Sequence, residues 1–247
     1  MPDATVAFHP RQTINGLLVQ MHDAGFDQAA LKQVVGVHAL ATAMFNGMYR
    51  GTGKPFLCHL VGTASTVAEY DGRLDMILAG LIHAVFDSGV FPDGRTGRPT
   101  PEHRQWLTRK VGPQIVDLVA RYQQFGFAAS DIQRLLSQEA PWDRDMILLR
   151  LCNELDDIAE GGLAFAAKRG NSTLASSLDC EKLAAAVGVP RLGARIVDLA
   201  RECDAMDWAA ALSRGKDSYR VAPGLSDYMR LRRKRWRGHK VEMLDDH

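Results

Sequence analysis

The sequence lacks the features of membrane, secreted and strongly nucleic-acid-binding proteins. Its 30 Lys and Arg residues nearly balance 29 Asp and Glu residues, which excludes a strongly basic or acidic chain. No stretch approaches the roughly eighteen uninterrupted apolar residues of a membrane span. The four cysteines lie far apart without a CxxC pair, so neither a disulfide framework nor a structural zinc cluster is predicted. Because residues 1–12 also show no leader pattern, we expect a cytoplasmic protein.

Strand signals are equally scarce. No run alternates apolar and polar residues for long, whereas apolar residues recur at three- and four-residue spacings almost throughout. This pattern predicts an all-α protein with a Gly- and Pro-rich loop over 88–100, long enough to form a pocket lid. The predicted helices cover about 27–49, 56–69, 73–86, 101–111, 113–125, 130–138, 143–160, 179–187 and 191–213.

The last thirty or so residues differ in composition from the rest. We assign residues 1–215 to one helical domain and 216–247 to an appendage that contains the basic run RLRRKRWRGHK. Such a run is able to contact nucleic acid or acidic lipid. Because the whole chain carries almost no net charge, a soluble tail or a subunit contact is favoured, and neither nucleic-acid nor membrane binding is predicted. A homo-oligomer is compatible with this sequence.

Polar residues interrupt the apolar helical pattern in three segments. In RGTGKPFLCHL, His59 opens a helix after a Gly-rich turn, and in ILAGLIHAVFD, His83 lies in an apolar helix with Asp87 four residues later. The third segment, ILLRLCNELDDI, contains Asn153, Asp156 and Asp157. A single buried histidine is often only a hydrogen-bonded core residue, but three such segments together indicate one functional site.

These three segments resemble the motifs of the HD phosphohydrolase superfamily. The similarity is greatest to the hydrolase domain of the bifunctional alarmone (guanosine tetraphosphate) synthetase/hydrolase family, whose segments read approximately RKSGEPYITHP, LLHDVVED and KLADRLHN. It covers about residues 28–160. The resemblance implies an HD-like helical bundle with a central pocket, in which two histidines and two aspartates hold one divalent metal ion.

The carboxylate ligands of that family are missing here. His59 and His83 match the two histidine ligands, whereas Ala84 and Asn153 occupy the positions of the two aspartates. Two imidazoles and one amide oxygen would hold a hard divalent ion poorly. The family's Glu-Asp pair, which assists the attack of water, is replaced by Asp87 and Ser88. We therefore predict no metal ligands, no cofactor and no standard metal-dependent alarmone hydrolysis.

Three functions remain open for such a site. The favoured one is a pocket that has lost the metal reaction and binds a small molecule. The second is an enzyme that uses His59, His83 and Asp87 as metal-free acid–base groups, because His83 and Asp87 are four residues apart on one predicted helix and are able to hydrogen-bond. The third is a metallohydrolase with a rearranged shell that recruits Asp87 or Asp156.

The expected ligand is a small anion. Two cations beside a Gly-rich turn suit an anionic or phosphorylated ligand, and their segment matches the one that contacts the nucleotide in the family. Asp156 and Asp157 follow Asn153 by about one helical turn and so are able to share its face. The predicted ligand-binding residues are Arg50, Thr52, Lys54, Asn153, Asp156 and Asp157.

Overall fold

The computed structural model describes residues 7–50, 54–97, 99–126, 129–137, 143–159 and 173–205. Over these ranges the chain is an all-α bundle, as predicted, and the only extended pairing is an isolated bridge between Tyr49 and Pro55. No helix within them is long and apolar enough to cross a bilayer. The helices are α1 Ile14–Asp23, α2 Gln28–Phe45, α3 Phe56–Tyr70, α4 Leu74–Ile82, α5 Val85–Ser88, α6 Pro101–Val111, α7 Pro113–Gln124, α8 Ala129–Ser137, α9 Arg144–Ile158, α10 Thr173–Ala186 and α11 Pro190–Ala205.

Most predicted helices are present, with differences at their ends. α6 has the predicted bounds, whereas α2 ends at Phe45 because Asn46 leaves the helical region and Gly47 has a positive φ of 79°. α1 is not among the predicted helices; Thr13 caps it by accepting a hydrogen bond from the Gly16 N–H. The predicted end of the last helix, the boundary at 215 and the basic run lie outside the described residues.

The helix predicted at 73–86 is broken in two. α4 ends at Ile82, and a turn at His83 and Ala84 precedes α5. His83 Nδ1 lies 2.8 Å from the Gly80 carbonyl oxygen, the acceptor that a continuing helix would offer to the Ala84 N–H. The break means that His83 and Asp87 do not share one helical face, so the helical spacing predicted for them is wrong.

Helix α3 is the central helix of the site. It contacts α1, α2, α4 and α9, and each of its residues from His59 to Val67 is buried. A Cβ atom at Gly80 would lie 2.9 Å from the Ala64 Cα, so α4 packs closely against α3. A polar side chain on such a helix is removed from water and needs partners inside the protein.

The loop after α5 packs against the bundle at both ends. The Val90 N–H donates to the Met44 carbonyl, and the fully buried Phe91 ring stacks on His103 at 4.0 Å between centroids. His103 Nε2 lies 2.9 Å from Asp93 Oδ2, and His103 Nδ1 accepts a hydrogen bond from the Thr100 N–H. Thr100 also caps α6, so this histidine links the loop to the start of that helix.

Candidate functional site

The three polar segments meet in the interior. His59 Nε2, on α3, lies 3.3 Å from His83 Nε2, at the end of α4, and 3.1 Å from Asn153 Oδ1, on α9. All three side chains are almost completely buried. The sequence therefore folds so that residues separated by 24 and 94 positions form one cluster.

Asp156 is the most heavily hydrogen-bonded member of the cluster. Its Oδ2 atom lies 2.7 Å from His59 Nδ1, and Lys54 Nζ donates to both carboxylate oxygens at 3.1 Å. Gln12 Nε2 donates to Oδ1 at 2.9 Å. The carboxylate is fully buried, so these donors and the ammonium charge compensate for the water that it has lost.

Asp157 pairs with the other predicted cation. Arg50 Nη2 lies 2.5 Å from Asp157 Oδ2, which also accepts a hydrogen bond from Asn153 Nδ2 at 3.2 Å. The Arg50 guanidinium lies over the Phe56 ring at 5.6 Å from its centroid. About a quarter of the Arg50 side chain (26%) remains exposed, compared with 11% for Lys54. Arg50 is therefore the cation that a ligand reaches more easily.

Both ring nitrogens of His59 face hydrogen-bond acceptors. The ring contact with the Gly80 carbonyl assigns the proton of neutral His83 to Nδ1, so His83 Nε2 is an acceptor. Asn153 Nδ2 donates to Asp157, which leaves Asn153 Oδ1 facing His59 as a second acceptor. His59 Nε2 therefore faces two acceptors, whereas His59 Nδ1 faces the Asp156 carboxylate. A proton on either ring nitrogen has a hydrogen-bond acceptor within reach.

His83 is held neutral by its surroundings. Burial lowers its pKa well below the ordinary histidine value, and the positive charge of His59 lowers it further, although the Gly80 carbonyl opposes both effects. The His83 ring packs edge-to-face on Tyr122, with 5.2 Å between centroids. A neutral His83 is consistent with its role as a hydrogen-bond acceptor for His59.

Two parts of this network were not predicted from the sequence: the contacts of Arg150 with Tyr122 and Glu154, and the side chain of Gln12. Tyr122 OH accepts a hydrogen bond from Arg150 Nη1 at 3.2 Å, Arg150 Nη2 pairs with Glu154 Oε1 at 2.7 Å, and burial raises the pKa of Tyr122 to about 12. The spacing of Arg150 and Glu154, four residues apart in an apolar helix, is a signal for this pair. No comparable signal identifies Gln12, which is 144 residues from Asp156.

Two other predicted residues are not part of the cluster as described. Asp87 is exposed and accepts a hydrogen bond from Gln123 Nε2 at 3.0 Å, and the hydrogen bond that the predicted helical spacing allowed between His83 and Asp87 is not formed. The helix break after Ile82 is the physical reason. Thr52 lies outside the residues that the structure describes.

The cluster does not fit a divalent metal ion of the kind that the family resemblance implies. The atoms that converge are two imidazole nitrogens and an amide oxygen, without a carboxylate. Asp156 binds the opposite nitrogen of His59, and Asp157 is engaged by Arg50 and Asn153. Across the described ranges, no group of three or more His, Cys, Asp or Glu side chains is arranged to hold a metal ion. Hard cations prefer anionic oxygen ligands, which this donor set does not supply.

Comparisons with known proteins do not assign the chain to a family. No protein-family model matches the sequence, and a search of curated proteins finds no match.

Proposed function

We propose that this protein is an HD-like helical protein that binds a small anionic or phosphorylated ligand and does not carry out metal-dependent alarmone hydrolysis. The observation that carries this proposal is the buried network in which the three motif-like segments supply Arg50, Lys54, His59, His83, Asn153, Asp156 and Asp157. A core that serves only for packing does not need such a network, because each buried polar group without a hydrogen-bond partner destabilises the fold.

The charges of the network favour an anion over a cation. Both carboxylates, Asp157 and Asp156, are already engaged by Arg50 and Lys54, so they are poorly placed to bind a cation. Lys54 directs its ammonium at Asp156, including the backbone carbonyl at 3.0 Å. Within the described chain, Arg50 gives Asp157 only one of its five N–H groups and keeps a partly exposed guanidinium. An oxyanion therefore binds most favourably at the Arg50 end of the network.

Titration calorimetry with inorganic phosphate and pyrophosphate tests this proposal. Arg50→Lys keeps the charge beside Asp157 but removes the planar fork, so we expect affinity to fall about tenfold. Arg121→Lys is the matched control, because Arg121 pairs with Asp117 and Asp143 on the surface, away from the network. Equal affinities of the wild type and Arg50→Lys, or no binding of either anion, would contradict the proposal.

Metal-dependent hydrolysis is tested separately. We expect no pyrophosphate release from guanosine tetraphosphate in the presence of Mn²⁺, because the converging donors lack a carboxylate. One tightly held metal ion per chain, together with hydrolysis that a chelator abolishes, would instead support the metallohydrolase with a rearranged ligand shell.

The second candidate function is metal-free acid–base catalysis, and the contact of His59 with Asp156 favours it. A carboxylate 2.7 Å from one imidazole nitrogen orients the ring and stabilises its protonated form, which prepares the other nitrogen for proton transfer. In this function Asp156 replaces Asp87 as the partner carboxylate, while His59 is the acid or base and His83 is its acceptor.

Steady-state kinetics with an identified substrate distinguish metal-free acid–base catalysis from simple ligand binding. Removing His59 with His59→Gln should lower kcat by about 10² or more. Asp156→Asn should lower kcat and change its pH profile, whereas Asp87→Asn, a carboxylate outside the network, should have no effect. A similar loss from Asp87→Asn and Asp156→Asn would rule out a specific role for the buried pair.

A further inference from the structure

The segment before α1 is fixed against the site by contacts at both of its ends. The Phe8 carbonyl accepts a hydrogen bond from Arg195 Nε, on α11, at 2.9 Å. The Arg11 N–H donates to Ser65 Oγ, on α3, also at 2.9 Å. Gln12 follows directly, and its side chain enters the network around Asp156. The polar cluster is thus formed by four parts of the chain, of which the sequence motifs indicate three.

The side-chain nitrogen of Gln12 donates two hydrogen bonds, whereas its side-chain oxygen accepts none from the described residues. Nε2 donates to Asp156 Oδ1 at 2.9 Å and to the Pro10 carbonyl at 3.2 Å. Gln12 Oε1 is buried and has no hydrogen-bond partner among the described residues. An unsatisfied buried carbonyl is unfavourable, so the contribution of the amide here is its donor, which Asp156 accepts.

Gly62 provides the space for this arrangement. A Cβ atom at Gly62 would lie 1.8 Å from Asp156 Oδ1 and 2.8 Å from Gln12 Nε2. Any larger side chain would therefore displace both partners of this hydrogen bond. The backbone of α3 thus comes directly against the pair that Gln12 forms with Asp156.

The three donors to Asp156 act on different parts of the carboxylate. Lys54 Nζ bridges both oxygens, whereas Gln12 binds only Oδ1 and His59 only Oδ2. Gln12 and His59 together therefore fix the rotation of the carboxylate plane, which the bridging ammonium alone leaves less restricted.

We propose that Gln12 is a positioning residue of the site. By holding Asp156 Oδ1, it directs Asp156 Oδ2 at His59 Nδ1 and so orients the His59 ring toward His83 and Asn153. The inference deepens the proposed function, and its ligand-binding readout rests on that function. The orientation of His59 is measurable without any ligand.

The test compares two glutamines by the resonances of histidine ring nitrogens in two-dimensional NMR, at one pH. Gln12→Met keeps an unbranched side chain of similar length but removes the amide. Gln123→Met is the matched control, because the Gln123 amide donates to the Phe86 carbonyl and to Asp87, and not to Asp156 or to the segment before α1. We expect Gln12→Met to displace the His59 signals and weaken phosphate binding about tenfold. Gln123→Met should change neither.

The outcomes distinguish this inference from the proposed function. Unchanged His59 signals in Gln12→Met, or equal displacement in both variants, would overturn the positioning role. Displaced signals in Gln12→Met alone, without phosphate binding by any form, would support the positioning role and refute the proposed function. If Gln12→Met does not fold, Gln12→Ala removes the amide donor to Asp156 and leaves space for water in its place. His59 signals that are unchanged in this second variant would also overturn the inference.

Discussion

Two histidine–aspartate pairs in this protein have similar contact distances and different surroundings. His59 and Asp156 are 2.7 Å apart, 97 residues apart in sequence, and both have fully buried side chains. His103 and Asp93 are 2.9 Å apart and only ten residues apart in sequence, and 43% of the Asp93 side chain is exposed. The first pair joins α3 to α9, whereas the second holds a loop to the start of α6.

The difference shows that the distance between partners does not determine what a pair contributes. Water replaces the partner of an exposed carboxylate at little cost, so the pair at the loop has a mainly local role. A buried charge that loses its partner has no such replacement. The interior pair is connected to the buried ammonium of Lys54 and to the neutral Gln12 amide, whereas the charge beside the loop pair is the exposed Arg95, 3.6 Å from Asp93. The following predictions separate the two pairs, beginning with the largest expected effect.

Removing the carboxylate charge should distinguish the pairs most clearly. Asp156→Asn keeps the shape of the side chain but leaves Lys54 without its buried counterion and His59 Nδ1 without its carboxylate partner. We expect it to lower the free energy of unfolding by about 3–5 kcal/mol. Asp93→Asn should lower it by less than about 1 kcal/mol. Urea denaturation followed by circular dichroism measures both, and equal losses would mean that the buried pair is not specially stabilising.

The space beside the interior pair provides the next test. Gly62→Ala should lower the free energy of unfolding by about 1–3 kcal/mol, because its Cβ meets Asp156 Oδ1 and Gln12 Nε2. Gly36→Ala is the matched control in α2, since a Cβ there meets nothing within 4 Å. The control should raise stability by up to about 1 kcal/mol through helix propensity. A Gly62→Ala protein as stable as the wild type would show that Asp156 is not held as tightly as described.

Acid should weaken the interior site through His83. Burial lowers the pKa of His83 in the folded protein, so below about pH 6.5, the ordinary value, the unfolded chain takes up a proton here that the folded protein does not. The free energy of unfolding therefore falls with decreasing pH, by at most about 1.4 kcal/mol per pH unit from this residue. Above about pH 6.5 His83 is neutral in both states and adds no pH dependence.

Urea denaturation at about pH 7 and about pH 5.5 measures this effect, and His83→Asn removes the titrating group. The wild type should lose more stability on acidification than the variant does. Identical pH dependence in the two proteins would show that His83 takes up its proton as readily in the folded state as in the unfolded one.

Local signals explain which helices were predicted correctly. α6 begins after the Thr100 cap with Pro101 in its first turn, and it ends at Val111, just before Gly112, which has a positive φ of 87°. Each of these preferences depends on a few neighbouring residues, so the sequence specifies both bounds. The break at His83 depends instead on a side chain that bonds to the Gly80 carbonyl inside the folded protein. An apolar, helix-like pattern continues through it, which led to the wrong spacing for Asp87.

The sequence by itself determined the helical class and the three segments that carry polar residues, because helix periodicity and residue type are local properties. Only the tertiary structure decided which of these residues are partners: His59 is paired with Asp156, Asp87 faces solvent, and Gln12 enters from the N-terminal segment. Those pairings depend on how helices pack and rotate against one another across as many as 144 residues of sequence. Close packing at Gly62 and Gly80 sets these rotations, and local spacing does not encode them.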